Sequence, residues 1–262
     1  MAGWKRGGRM QAKFLTDRGQ VRKHNEDAGG IFYNHSGQLL AIIADGMGGH
    51  QAGDVASKMA VQLIDEQWKN AEAQLRPEHA EAWLSKALQY MNQKIYERSI
   101  ANEECHGMGT TVVLAICAQD FISVAHIGDS RCYLLNDFGF TQITEDHSLV
   151  NALVQSGEIT KDDAQSHPRK NVVLKSLGTD QHVTADIRSI SWDQGNQLLL
   201  CSDGLSDKVL DDELKSFMQS SDALEKVGQE MVDLANARGG EDNVSLILIQ
   251  YDALEKAGES SC

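Results

Sequence analysis

Residues 38–46 read QLLAIIADG, a continuous apolar run that ends in an Asp-Gly pair. An uninterrupted run of this length is typical of a strand that is buried on both faces. Elsewhere in the chain, two more apolar runs lead into Gly128-Asp129 and Asp203-Gly204. A further apolar run, residues 244–249, follows the GGEDN sequence at 239–243. A buried strand that borders an acidic residue beside glycine is therefore a repeated feature of this chain.

Strand-like and helix-like segments occur in blocks rather than in strict alternation. Apolar spacing predicts helices at residues 55–68, from Pro77 to about residue 95, at 147–155 and at 222–237. Long strands grouped towards both ends of the chain, with helix pairs between them, favour an α+β fold with antiparallel sheets over a doubly wound parallel sheet. The predicted strands are 11–17, 38–45, 110–117, 121–127, 132–135, 140–144, 183–192, 197–202 and 244–251.

The composition is that of a folded domain with an acidic excess. The 262 residues include 38 Asp and Glu against 24 Lys and Arg, which gives a formal charge of -14. This excess excludes a general nucleic-acid binder, because affinity for the phosphate backbone depends on clustered basic residues. Apolar residues make up 41% of the chain, close to the average for globular domains, so we expect a packed core.

We interpret the chain as one domain at residues 10–251, followed by a polar tail at 252–262. Residues 1–9 are interpreted as a basic extension ahead of a natural start at Met10. The five cysteines have no paired spacing, so we expect neither a disulfide framework nor a structural zinc site. No segment approaches the ~20 apolar residues that span a bilayer. These features predict a cytoplasmic protein with reduced thiols and no membrane insertion.

The acidic strand ends indicate a site for hard cations. Asp45, Asp129, Asp203 and Asp242 each lie beside the end or the beginning of a predicted strand. One Asp-Gly pair is usually a turn, but four carboxylates that meet at one edge repel each other and require cations. Oxygen ligands without His or Cys suit magnesium or manganese. Two such ions, roughly 3.5–4 Å apart, can activate a water for attack on a phosphate ester.

A phosphate-binding group is predicted beside these acids. Arg22 opens the sequence RKHNED at residues 22–27. The planar guanidinium of arginine can bind two phosphate oxygens at once. The alternative interpretation, a surface arginine in a loop, stays open at this point.

Seven motifs resemble those of the PP2C-type (PPM) metal-dependent serine/threonine protein phosphatases, specifically their compact bacterial branch. Each motif alone is weakly specific, but their shared order spans nearly the whole chain. The resemblance implies a central antiparallel β-sandwich with pairs of helices on both faces, in α-β-β-α layers, and a metal site in a cleft at one edge. The matching motifs are Arg22 with NED at 25–27, DGMGGH at 45–50, GMGTT at 107–111, GDSR at 128–131, EDHSLV at 145–150, SDGL at 202–205 and GGEDN at 239–243.

The resemblance also implies a role for each site residue. Asp45 would bridge two metal ions, with the carbonyl of Gly46 on one ion and with Asp203 and Asp242 on the other. Asp129 would support a weaker third ion together with Asp203. Residues 147–174 would form a mobile flap that selects substrates. The remaining assignments are Arg22 for phosphate, Glu26 and Asp27 for metal-bound waters, and His50 and Asn243 beside the ligands.

For function, the resemblance implies an enzyme that hydrolyses phosphoserine and phosphothreonine in proteins. The nucleophile would be a hydroxide that bridges two Mn²⁺ or Mg²⁺ ions. The resemblance further implies a monomer that opposes a transmembrane bacterial Ser/Thr kinase by acting on the kinase and its substrates.

One position departs from the pattern of many eukaryotic members, which have a histidine two residues after the bridging aspartate as a proposed general acid. This chain has Met47 there, and a thioether cannot donate a proton. His50 or a metal-bound water could take over this role, so the general acid is left unassigned.

His126, inside an apolar strand, is interpreted as a core histidine with satisfied hydrogen bonds.

Other functions fit the motifs less well. The DGMGG sequence at 45–49 matches neither the dinucleotide-binding pattern nor the P-loop. An esterase that uses Ser130 lacks an Asp-x-x-His partner motif, and no cysteine has the arginine six residues later that a cysteine-based phosphatase requires. The alternative that stays open is a non-catalytic pseudophosphatase of the same fold, which would bind phosphoproteins without hydrolysing them.

Overall fold

Two antiparallel sheets lie at the centre of the protein. The structure is a computed structural model that describes residues 8–49, 52–71 and 75–252. Its strands are β1 (Arg9–Asp17), β2 (Asp27–Tyr33), β3 (Leu39–Met47), β4 (Gly109–Thr110), β5 (Val112–Cys117), β6 (Phe121–Ile127), β7 (Arg131–Asn136), β8 (Gly139–Gln142), β9 (Asp186–Ser191), β10 (Gln197–Cys201) and β11 (Val244–Asp252). Sheet I has the order β1-β11-β10-β7-β8, and sheet II has the order β2-β3-β5-β6-β9, with β4 paired to β3.

Helices cover the outer faces of both sheets. The helices are α1 (Ala52–Lys69), α2 (Pro77–Ala101), α3 (Leu149–Gln155), α4 (Lys161–Gln165), α5 (Asp203–Ser206), α6 (Asp211–Met218) and α7 (Leu224–Ala237), with a short 3-10 turn at Glu103–Cys105. Apolar side chains of α1 and α2 pack on sheet II, and those of α6 and α7 pack on sheet I. The predicted α+β fold, a sandwich in four layers, is confirmed.

The apolar run of β3 is buried on both faces because its side chains alternate between two cores. Leu40 and Ile42 pack towards α1 and α2, whereas Leu39, Ala41 and Ile43 pack between the two sheets. A third core lies between sheet I and the helices α5 to α7. This central position fixes the end of β3, and with it Asp45, within the sandwich.

Strand β2 is absent from the predicted elements. Its sequence, DAGGIFY, contains Gly29 and Gly30, and glycine is unfavourable in strand interiors. A Cβ at Gly29 would lie only 2.6 Å from the ring of Phe14, so this glycine allows an aromatic side chain to close over the strand. The packing partner that favours β2 is distant in sequence and could not be read from the pattern.

Several predicted boundaries also change. The predicted strand 140–144 ends at Gln142, and the predicted strand 183–192 covers only Asp186–Ser191. Helices α4 and α6 were not predicted. Both are short and rich in acidic residues near their starts, and each has a side-chain hydrogen bond at its first turn. Such local bonds stabilise a helix that lacks a long apolar stripe.

The first and the last described strands pair along their whole length. Arg9 lies opposite Asp252, and Asp17 lies opposite Val244. The predicted domain limits at 10 and 251 therefore each leave one strand residue outside. The other residues of the predicted extension and tail, apart from Gly8, lie outside the described residues.

Within the described ranges, no helix combines the length and the apolar character that a membrane crossing requires. Four of the cysteines, Cys105, Cys117, Cys132 and Cys201, are buried free thiols.

Candidate metal centre

Five aspartates lie at one edge of the sandwich, because each is at the same end of its strand. Asp27 begins β2 and pairs directly with Asp45 near the end of β3. Asp203 follows β10, and Asp242 precedes β11, whose first residues lie beside the end of β10. Asp129 follows β6, which pairs with β5 next to β3. The structure therefore brings together the acidic residues that the sequence places more than 200 positions apart.

The charges of these carboxylates act on each other. The pKa of Asp45 is raised well above its ordinary value, first by loss of water around the carboxyl group and then by the charges of Asp27, Asp203, Asp129 and Asp242. Burial followed by the charges of Asp129 and Asp242 raises the pKa of Asp203 in the same way. Burial is also the main cause that raises the pKa values of Asp27 and Asp129 to about 6. Such a cluster favours a bound cation.

Two carboxylate oxygens in the cluster have nothing to bind among the described residues. Asp27 accepts a hydrogen bond of 2.8 Å from the hydroxyl of Ser202 through one oxygen, while its other oxygen is buried without a partner. One oxygen of Asp203 is likewise buried and unpartnered in the described part of the chain. Unsatisfied buried oxygens in an all-oxygen set match the ligands that Mg²⁺ and Mn²⁺ prefer. The residues present therefore fit a hard divalent cation.

Glycine allows the backbone to come close at the edge of the cluster. A Cβ at Gly46 would overlap the carbonyl oxygen of Gly53 and lie 2.6 Å from that of Glu26. The amide of Gly46 donates a hydrogen bond of 3.1 Å to the carbonyl of Glu26. This tight packing holds the backbone after Asp45 in place and leaves no room for a side chain at position 46.

Thr110, at the end of β4, and the following residue Thr111 hold the backbone of Asp45. Thr110 donates its hydroxyl to the carbonyl of Asp45 at 2.8 Å, and the amide of Thr111 donates to the same carbonyl at 2.8 Å. The hydroxyl of Thr111 also lies 2.7 Å from that of Ser130, next to Asp129. These three residues were not predicted as site residues, although the GMGTT and GDSR motifs that contain them were the available signal.

The loop before β2 carries Arg22 to the rim of the cluster. Arg22 is half-exposed and donates to the carboxylate of Asp242 at 2.6 Å and to the carbonyl of Glu241 at 3.3 Å. Asn243 ties this loop to β11, because its side chain accepts from the amide of Glu26 and donates to the carbonyls of Arg18 and His24. The arginine predicted to bind phosphate thus lies beside a predicted metal ligand.

The remaining predicted residues are placed as follows. The Glu26 carboxylate is close to Gly53, and burial is the main cause that raises the pKa of Glu26. Met47 ends β3 and pairs with Gly109. His126 is buried, with Nε2 2.7 Å from the carbonyl oxygen of Glu145, as expected for a core histidine. His50 lies outside the described residues.

A second group with ligand-type atoms is separate from the five aspartates of the cluster. His126, His147 and Asp186 each place one such atom within 4.8 Å of the others. This group was not predicted as a unit from the sequence, because its members lie on β6, at the start of the predicted flap, and on β9.

Comparison with known proteins gives one consistent family. The family model described as protein phosphatase 2C matches residues 17–248. The serine/threonine phosphatase stp of Listeria monocytogenes is 45% identical over 252 residues, which cover 96% of this chain and 100% of that protein. The crystal structure of Stp1, a serine/threonine phosphatase from Staphylococcus aureus, has a TM-score of 0.89 and 39% identity, covering 97% of this chain and 100% of Stp1. The catalytic domain of the phosphatase PstP, solved with 2 manganese ions, has a TM-score of 0.82 and 32% identity, covering 93% of this chain and 99% of that one.

Proposed function

We propose a reaction and a site for this chain, which belongs to the protein phosphatase 2C family and is a phosphoprotein phosphatase. In this proposal it hydrolyses phosphoserine and phosphothreonine at the aspartate cluster with the help of two Mn²⁺ or Mg²⁺ ions. The observation that carries this proposal is the group of acids with raised pKa values and two unpartnered buried oxygens. The manganese ions in the related PstP domain support it.

In this proposal the aspartates hold the ions in the arrangement that the family resemblance implies. Asp45 would be shared by both ions, with the Gly46 carbonyl on one and with Asp203 and Asp242 on the other. Asp129 is assigned to a weaker third ion, together with Asp203. When bound, the two ions supply a hydroxide nucleophile and neutralise charge on the phosphoryl group.

Side chains around the cluster are proposed to bind the phosphate group and to orient water molecules. Arg22 is proposed to bind the phosphate oxygens, because half of its side chain is exposed while its anchor on Asp242 holds it at the rim. Asp27 keeps one oxygen fixed on Ser202 and offers the other to the cluster. Asp27 and Glu26 are proposed to orient water molecules in the site.

The biological setting forms part of the same proposal. We propose a monomer in the cytoplasm that acts on a membrane-anchored Ser/Thr kinase and on the proteins which that kinase phosphorylates. The support is the family resemblance and, for the cytoplasmic location, the buried free thiols of the described chain.

A metal titration tests the proposed function. Activity on a phosphothreonine peptide should be lost in excess chelator and return when Mn²⁺ is added. Asp203→Asn should lower this activity at least 100-fold, since it removes a carboxylate from the proposed ligands. Asp120→Asn is the matched control, because it removes the same charge from an exposed turn at the opposite end of sheet II and should leave the activity unchanged.

Two results would overturn the proposal. Full activity in excess chelator would exclude a metal-dependent reaction. Tight binding of phosphopeptide without hydrolysis, with Mn²⁺ bound, would instead support the pseudophosphatase alternative.

A further inference from the structure

His147 connects the proposed flap to the strand end that carries Asp129. Its amide donates to the carbonyl of Gly128 at 2.9 Å, and the amide of Gly128 donates back to Nδ1 of the His147 ring at 3.1 Å. The His147 carbonyl accepts from the amide of Leu174 at 2.7 Å. One residue therefore binds both the far end of the flap and the residue directly before Asp129.

The base of the flap closes around this residue. Ser148 forms an antiparallel bridge with Val173, and the amide of Leu149 donates to the carbonyl of Val172 at 2.9 Å. The two ends of the segment at 147–174 are thus joined before the chain diverges into α3 and α4. Movement of the base would be transmitted to Gly128 through His147.

The hydrogen bond from Gly128 fixes the tautomer of the His147 ring. A ring nitrogen that accepts an N–H must present its lone pair, so in the neutral ring Nε2 carries the proton. Asp186 lies 3.4 Å from Nε2 and can accept that proton in a hydrogen bond. The side chain of His147 is 9% exposed, and burial followed by the charge of Lys175 lowers its pKa, which favours the neutral ring.

Lys175 competes for the same ring. Its ammonium lies 3.3 Å from Nε2 of His147, but a neutral ring has only one lone pair, which cannot serve both Lys175 and Gly128. The Gly128 amide is held by the fold, whereas the Lys175 side chain is 41% exposed and also approaches Asp186 at 3.7 Å. We therefore assign the lone pair to the Gly128 amide.

The same argument disfavours a metal ion between His126, His147 and Asp186. A protonated Nε2 cannot bind a metal, and Nδ1 is occupied by Gly128. The ammonium of Lys175 would also repel a cation beside Asp186. His126 instead stacks on His147 with ring centroids 4.6 Å apart, which helps to fix the orientation of the ring.

We propose that His147 is a positioning residue: the neutral ring holds the amide of Gly128 through Nδ1 and so fixes Asp129 and the base of the flap in one geometry. The proposal rests on the proposed function through the role of Asp129 as a ligand of the third ion. The hydrogen bond itself is independent of any metal.

Two variants of similar size distinguish the role of Nδ1 from that of Nε2. His147→Asn places an amide oxygen near the position of Nδ1 and can still accept from Gly128. His147→Gln places its amide near the position of Nε2 and can still bind Asp186, but it loses the acceptor for Gly128. Asp186→Asn is the control, because its amide oxygen can still accept from Nε2 while the charge is lost.

The first measurement is hydrogen exchange of the Gly128 amide by NMR in the metal-free chain. We expect exchange about tenfold faster in His147→Gln than in the wild type, and near-normal exchange in His147→Asn and Asp186→Asn. The second measurement is calorimetric titration with Mn²⁺. We expect the affinity of the weakest ion to fall about fivefold in His147→Gln and to be retained in His147→Asn.

The proposal is overturned if the effects of the two variants on Gly128 exchange and Mn²⁺ affinity are the reverse of those expected. If His147→Gln behaves as the wild type and His147→Asn does not, Nε2 is the functional atom, as partner of Asp186 or as a metal ligand. Equal, wild-type exchange in both variants would show that the ring holds nothing at Gly128. If the wild-type chain binds no Mn²⁺, the proposed function fails, while the exchange of Gly128 still decides the role of the ring.

Discussion

At the scale of single residues, the side chain of Asn243 makes three hydrogen bonds to the segment that carries Arg22. It is 4% exposed and joins β11 to three backbone groups, the amide of Glu26 and the carbonyls of Arg18 and His24. Its own amide donates to the carboxylate of Asp242 at 2.8 Å. One residue, through its side chain and its backbone amide, thereby connects the proposed phosphate-binding loop to a proposed metal ligand.

We predict that Asn243→Ala destabilises the protein by about 2–4 kcal/mol, because it leaves several backbone groups without partners in a buried place. The KM for a phosphopeptide should rise, since the loop that holds Arg22 is released. Urea unfolding and steady-state kinetics with Mn²⁺ measure the two effects. Asn70→Ala, which removes a similar side chain from the exposed end of α1, should change the unfolding free energy by less than about 1 kcal/mol.

The sequence predicts the aspartates of the site better than the residues that support them. An Asp beside a glycine at the end of an apolar run can be recognised locally, as at Asp45 and Asp203. Thr111 and Ser130 cannot be recognised in this way, because a small hydroxyl residue gains its role only when the fold places it opposite a partner. The contact of Arg22 with Asp242 likewise depends on two segments that are distant in sequence.

At the scale of elements, Gly46 near the end of β3 and Gly49 just beyond it lie in contrasting surroundings. Gly46 is buried, and a Cβ there would overlap the backbone of Gly53 at the start of α1. Gly49 is exposed, and a Cβ there would meet no atom within 4 Å. The two positions therefore separate close packing from the general effect of replacing glycine.

We predict that Gly46→Ala pushes α1 away from β3 and lowers stability by about 1–3 kcal/mol. Mn²⁺ affinity should fall as well, because Asp45 is displaced with the strand. Gly49→Ala should keep both properties close to the wild type. Thermal unfolding and Mn²⁺ titration of the two variants check this, and equal effects at both positions would contradict the packing argument.

Elements were predictable where a local pattern and the final packing agree. The run at β3 is apolar throughout and is buried on both faces, so its pattern alone identifies the strand. Strand β2 has two glycines and becomes a strand because Phe14 and β3 cover it, neither of which its own sequence shows. Helix α6 is similar, since its few apolar residues become decisive only against α7.

At the scale of the whole molecule, the buried carboxylates at the acidic edge lower the stability of the folded state when no cation is bound. Asp27 is 6% exposed, and its pKa rises from 3.8 to about 6 in the folded chain. Below about pH 3 the carboxyl is protonated in both the folded and the unfolded chain, so the shift has no effect on stability. As the pH rises through the folded pKa, the unfolded chain releases this proton more readily, and the folded state becomes less stable.

We predict that Asp27→Asn stabilises the metal-free protein at neutral pH. The difference in unfolding free energy between the variant and the wild type should grow from near zero at about pH 3 to about 3 kcal/mol at about pH 7, from the pKa shift of Asp27. Urea unfolding in excess chelator across this pH range measures it. A difference that is independent of pH would show that Asp27 is ionised in the folded metal-free chain.

The position of β11 also determines at which stage of synthesis the acidic edge can assemble. β11 lies between β1 and β10 in sheet I, so the first strand of the domain has no hydrogen-bonded neighbour in its sheet until the last one emerges. A chain growing on the ribosome can form sheet II and its helices early, but sheet I stays open to the end. Asp242 joins the other acids only at this closing step. Assembly of the acidic edge is thus tied to the synthesis of β11, and a chain interrupted before residue 242 would lack one of the five aspartates however much of the sandwich it had already folded.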